Sequence, residues 1–156
     1  MQYVILISPD DMAEIKEYAD YQTINNLVEG WYERCGALAI GNRMMTVFCN
    51  EEFLFHDELK FNAIGTAFSN QPIYGNVVLL ELGYNEDHER DALPLDKADA
   101  EQVCNAVNDY KKFFSSLLDT LHSHYDNNKP KPKAEIITMS EDSFRELFEE
   151  STTPTS

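Results

Sequence analysis

The chain of 156 residues carries 28 acids against 12 lysines and arginines, a formal net charge of −16 at pH 7. A hydrophobic fraction of 43% with 12% aromatics excludes a disordered chain, and the length suffices to bury a core without disulfides or metal. Neutralising phosphates needs a basic face, which the spaced Lys129, Lys131 and Lys133 do not make, so no direct nucleic-acid binding is expected.

Tyr3 to Ile7 (YVILI) is a continuous apolar run closed by Ser8-Pro9-Asp10-Asp11 and reads as a strand near the sheet centre. Met12 to Tyr18 alternates imperfectly, and a short strand is favoured there over an early helical turn. Asp20 is placed to cap a helix over residues 21–33, in which Ile24, Leu27, Val28 and Trp31 recur at i, i+3, i+4, i+7 and share one side. Gly30 inside that helix costs ~1 kcal/mol against alanine, so its expected use is a close approach of helix backbone to sheet. Residues 35–40 and 43–49 supply the floor, as two apolar strands joined by Gly41-Asn42, a pair suited to a two-residue hairpin turn. Met45, Val47 and Cys49 alternate with Met44, Thr46, Phe48 and Asn50; both sets are mostly apolar, which predicts burial on both faces. A turn with aromatic anchors follows, then a short helix near 62–68 and a core strand over 73–82, with Gly75 marking a bulge or close contact. The fold class is α+β, a small and largely antiparallel sheet covered by a helix.

The order Y-x-x-I-x-x-L-V-x-G-W-Y-E (Tyr21 to Glu33), F-x-N-E-E (Phe48 to Glu52), L-K-F-N-A-I-G-T (Leu59 to Thr66) and I-Y-G-N-V-V-L-L (Ile73 to Leu80) resembles the family called domain of unknown function 3846 (DUF3846). The resemblance spans about residues 15–83 and rests on ordering and spacing. It implies a fold and an origin among phages, plasmids and conjugative elements, and it implies no activity. Phe53 stands where the family usually has glycine after Asn-Glu-Glu, so the turn here must differ or be held by packing of Phe53.

Residues 81–101 form an acidic strip, read as a soluble surface in preference to a mimic of DNA phosphates. A long amphipathic helix is predicted over 96–123, with Val103, Val107, Tyr110, Phe114, Leu117 and Leu121 as a heptad-like seam widened by Cys104, Phe113 and Leu118. At on the order of 40 Å it outruns one small sheet, so a homodimer through this helix is expected. A single domain over 1–125 gives way to a stiff Pro/Lys linker at 126–133 and a short strand–helix tail at 134–156. In the tail Phe144, Leu147 and Phe148 line one side of a helix too short to stand alone, a candidate partner-binding surface with docking in cis favoured.

Asn50, Glu51 and Glu52 with His56, Asp57 and Glu58 are the one dense polar constellation near the expected core. Carboxylates and an imidazole could exchange protons or ligate a divalent metal, but without H-x-x-x-H spacing a solvated turn is the favoured reading. His122 and His124, two apart on a helix, point in different directions and read as surface residues. Cys35 and Cys49 can approach across the hairpin, where core packing is the stronger account. No phosphate-cradling glycine loop, G-x-S-x-G elbow or dinucleotide fingerprint occurs, so no catalytic, cofactor or metal residue is assigned. Three widely spaced cysteines, no signal-like N-terminus and no membrane-length apolar run point to the cytoplasm. The expectation is a non-enzymatic accessory protein that binds a host or element-encoded protein, with counter-defence implied only by the family's setting. The rival is a small enzyme or ligand-binding protein with its pocket near the Asn50–Glu58 turn.

Overall fold

A computed structural model describes residues 1–130. The elements in order are β1 (Gln2–Ile7), β2 (Ala13–Tyr18), α1 (Tyr21–Val28), β3 (Tyr32–Ile40), β4 (Arg43–Asn50), a 3-10 turn (Phe53–Phe55), α2 (Ala63–Ser69), β5 (Val77–Tyr84), β6 (Arg90–Leu93), α3 (Lys97–Phe113) and α4 (Ser115–Tyr125). The fold is α+β. Its six strands make one antiparallel sheet in the order β2-β1-β5-β4-β3, and β6 continues the β1 edge of β5 by pairing with Glu81–Tyr84.

Alternation along β1, β4 and β5 splits the core into two layers. Ile5, Ile7, Met45, Val47, Val77 and Leu79 face α2, α3 and α4. Val4, Leu6, Phe48, Val78 and Leu80 face α1, which reaches them through Ile24 and Val28. β4 is buried on both faces from Met45 onward, as its two apolar sets predict. Phe53 packs partly buried against the larger core.

Several boundaries differ from the sequence reading, each for a physical reason. The 21–33 helix stops at Val28, because Glu29 takes a left-handed conformation (φ 62°, ψ 39°) as its C-cap. The Asn50 side chain of β4 donates to the Val28 and Glu29 carbonyls at 3.3 and 3.2 Å, satisfying acceptors that a longer helix would have used itself. Gly30 therefore lies in the turn after the helix, although the close approach is real: a Cβ there would come 2.6 Å from the Asn50 amide nitrogen. Trp31 is not a core residue of the helix; it is 65% exposed, and Leu27 is only partly buried. The chain turns at once into β3, which starts at Tyr32 opposite Asn50 and carries an irregularity at Cys35, between Arg34 and Gly36. In the hairpin Gly41 alone takes positive φ (62°), the sign pattern of a type II′ turn.

The 73–82 strand is shortened to begin at Val77, since Gly75 at φ 90° breaks the extended run against Leu59. The acidic strip hides β6 and its hairpin, which the charge pattern did not reveal. The single 96–123 helix is broken at Phe114 (φ −111°, ψ 27°), where α3 ends and α4 begins. After the break Leu118 is buried in place of Leu117, so the heptad seam does not run through. Phe144, Leu147 and Phe148 and the tail boundaries lie outside the described residues. Among the described residues no helix is long and apolar enough to cross a membrane.

Stability should separate the true core of α1 from its predicted one. Ile24→Ala is expected to cost about 2–5 kcal/mol in urea denaturation, with Leu27→Ala clearly below it and Trp31→Ala within about 0.5 kcal/mol of wild type.

Candidate functional site

The predicted polar turn is not one site. Asn50 is buried, with its amide nitrogen on the end of α1 and its oxygen accepting from the Glu52 backbone N–H at 2.8 Å. Glu51 and Glu52 are exposed. His56 sits between surface carboxylates, Nε2 at 3.7 Å from Glu52 and Nδ1 at 3.4 Å from Glu58. Asp57 lines a cleft.

That cleft, of about 560 Å³, lies between the turn after β1, the 57–61 segment and the end of α4, with Asp10, Lys60, Tyr74 and Lys129 among its walls. At its edge His122 is held from both sides: Nε2 lies 3.0 Å from an Asp11 carboxylate oxygen and Nδ1 2.9 Å from Asp126. Asp11 is unusual twice over, since its φ is 60° and its second carboxylate oxygen is buried without a partner. Phe61 meets the imidazole edge-on at 5.6 Å and stacks on Tyr125 at 5.0 Å. Lys129 lies 4.9 Å from the Tyr74 ring centre and donates to the His56 carbonyl at 2.6 Å, while burial draws its pKa down against the pull of Asp57 and Glu58.

Burial alone would lower the His122 pKa, yet hydrogen bonds to Asp126 and Asp11 and the charges of both outweigh it, and the net shift is upward. With both nitrogens committed, the ring serves as a charged strut joining the β1–β2 turn to α4, not as a free base. The His122–Asp126 spacing of i, i+4 was legible in the chain, but Asp11, 111 residues away, was not. Among the described residues no group of three or more His, Cys, Asp or Glu could hold a metal ion.

Residues 1–111 match the family model described as Domain of unknown function (DUF3846). The chain belongs to that family. The match takes in β1 and β2 as well as the predicted 15–83 core, and ends inside α3, before the break at Phe114. No curated protein and no solved structure matches the chain.

In this DUF3846 protein the cysteines are free. Cys35 lies beside Cys49 under α2, its sulfur 3.3 Å from the Ser69 hydroxyl and 3.5 Å from the Val47 carbonyl. A hydrogen bond from Cys49 lowers the Cys35 pKa, and the same contact with burial raises that of Cys49. Cys104 is raised by burial beside β2.

The strut fixes a pH dependence. The folded pKa of His122 lies above the ordinary 6.5, so its stabilisation is complete below that value and is lost as pH rises through the raised one. Wild type should therefore lose stability relative to His122→Gln as pH rises from about 6.5 through the raised pKa of His122. Parallel melting temperatures of the two across this range would refute the strut.

Proposed function

We propose that this chain is a non-enzymatic accessory protein that acts by docking a protein partner at the corner between α3 and α4, in the phage, plasmid or conjugative-element setting that the family resemblance implies. The observation that carries the reading is one apolar corner on a strongly acidic molecule. Phe113, Phe114 and Leu117 are 84%, 46% and 44% exposed, side by side where the broken helix turns.

Beside them a cleft of about 650 Å³ is lined by Asp11, Asn108, Lys111, Lys112, Ser115, Leu118 and Asp119. Lys111 and Lys112 there face Asp11 and Asp119, so the rim is close to neutral on a chain of net charge −16. The partner it suits is a protein segment with apolar anchors that fill the cleft beside the exposed Phe113 and Leu117. The small-ligand rival near the Asn50–Glu58 turn is weakened by Asn50 being spent on α1 and by Glu51 and Glu52 facing outward.

The test is a pull-down from host lysate with wild type and Phe113→Ser/Leu117→Ser as paired baits. Wild type should enrich a partner about ten-fold or more over the variant, as loss of apolar anchors costing more than ~1.4 kcal/mol requires. The same proteins on both baits would overturn the reading. A concentration-dependent dimer of wild type that the variant abolishes would assign the corner to a second copy.

A further inference from the structure

The hairpin of β3 and β4 seats two thiols on one face. Cys49 stands opposite Glu33 and points with Met45 and Val47 into the layer under α2. Cys35 is the extra residue of β3: Arg34 pairs with Phe48 and Gly36 with Val47, so Cys35 and Gly36 together oppose Val47 as a bulge. Cys35 packs against the same layer, which makes it the diagonal cross-strand neighbour of Cys49. Its thiol donates to the Val47 carbonyl at 3.5 Å, and its sulfur lies 3.3 Å from the hydroxyl of Ser69, the last residue of α2. The Cys49 thiol makes a hydrogen bond to it.

The two thiols differ in access and in acidity. Cys49 is 1% exposed, whereas Cys35 is partly exposed on the edge strand of the sheet. The bond from Cys49, and with it the Ser69 hydroxyl, draws the Cys35 pKa down against its burial, while the same bond and burial push that of Cys49 up. Since the thiolate is the nucleophile, Cys35 is the one that meets an oxidant, and Cys49 waits protonated behind it. Cys104 is raised by burial and lies against β2, at the opposite edge of the sheet from β3.

We propose that Cys35 and Cys49 form a reversible disulfide within the chain, Cys35 reacting with a hydroperoxide and Cys49 resolving the product. In the first step the Cys35 thiolate attacks one peroxide oxygen, the O–O bond breaks, and Cys35 becomes a sulfenic acid while the other oxygen leaves as hydroxide or alkoxide. In the second the Cys49 sulfur attacks the Cys35 sulfur, the S–O bond breaks, and the departing hydroxyl leaves with the Cys49 proton as water. Two thiols are oxidised to one disulfide, and the peroxide is reduced to water, or to water and an alcohol. The new bond fastens the edge strand to β4 at the bulge, where the ladder is otherwise interrupted. A dithiol reverses it by exchange.

The test treats the reduced full chain, at neutral pH, with a small molar excess of hydrogen peroxide and reads it by intact mass and by peptide mapping without reductant. The monomer should lose two hydrogens, the Cys35 peptide should be linked to the Cys49 peptide, Cys104 should remain a thiol, and dithiothreitol should restore the starting mass. Cys104→Ser should behave as wild type does. In Cys49→Ser the reaction should stop at the Cys35 sulfenic acid, which dimedone traps, and in Cys35→Ser the Cys49 thiol should survive the same treatment. The proposal is overturned if all three thiols of wild type survive, if Cys35 oxidises without the link, if the link joins two chains or involves Cys104, or if it forms only after urea has unfolded the chain. The wild-type map decides by itself, so a folding defect in Cys49→Ser leaves the test intact.

Discussion

The fold hangs on one buried carboxamide. Asn62 is 0% exposed, and its amide nitrogen donates to the carbonyls of Ile7 at 3.0 Å and Gly75 at 2.9 Å. Its side-chain oxygen accepts from the Gly65 backbone N–H at 2.8 Å and caps α2. One side chain thus joins the end of β1, the approach to β5 and the start of a helix. Thr66 completes the junction, its hydroxyl donating to the Asn62 carbonyl at 2.7 Å and accepting from Ile73 at 2.9 Å. The volume is as constrained as the polarity, since a Cβ at Gly65 would come 2.9 Å from Val77. In a dry interior each of these groups would be costly to leave unpaired, so the pattern is met as a whole or not at all.

A second asparagine does the converse work. Asn62 starts α2, whereas Asn50 ends α1 by taking its last carbonyls from the neighbouring strand. By halting the helix after Val28, Asn50 sets how much of the sheet α1 can roof, and therefore leaves open the groove that Thr46, Arg34 and Arg90 help to line. The apolar corner arises from another interruption, the break at Phe114, and belongs to the opposite layer with α3 and α4. The two surfaces are separated by the sheet, so each can be altered while the other stays intact.

Charge shapes the same picture. With 28 acids to 12 lysines and arginines, cations are scarce, and their placement is informative. Arg43 ties β4 and β5 to the first turn of α3 through Glu81 and Asp99, and His122 ties the turn after β1 to α4 through Asp11 and Asp126. Both cations hold elements that would otherwise repel.

Much of the architecture was legible from local pattern. The YVILI run, the Gly41-Asn42 hairpin and the doubly apolar β4 follow from side-chain period and turn chemistry, which act over a few residues. Ile24 and Val28 were correctly placed in the core by helical spacing, and the same spacing misled at Trp31, because nothing local showed that Asn50 would claim the helix end. The polar turn shows the same limit of local reading: Asn50, Glu51, Glu52 and His56 are close in the chain, yet a turn sends one inward and the others outward. Conversely Asp11 meets His122 and Thr46 shares a groove with Arg34 and Arg90 only through strand pairing and helix docking. Composition and period determined the α+β sheet and most of its core, because those depend on neighbours in sequence. Where helices stop and which polar groups meet was decided by tertiary packing, since the partners lie 13 to 111 residues apart and only the closed sheet brings them within hydrogen-bond reach.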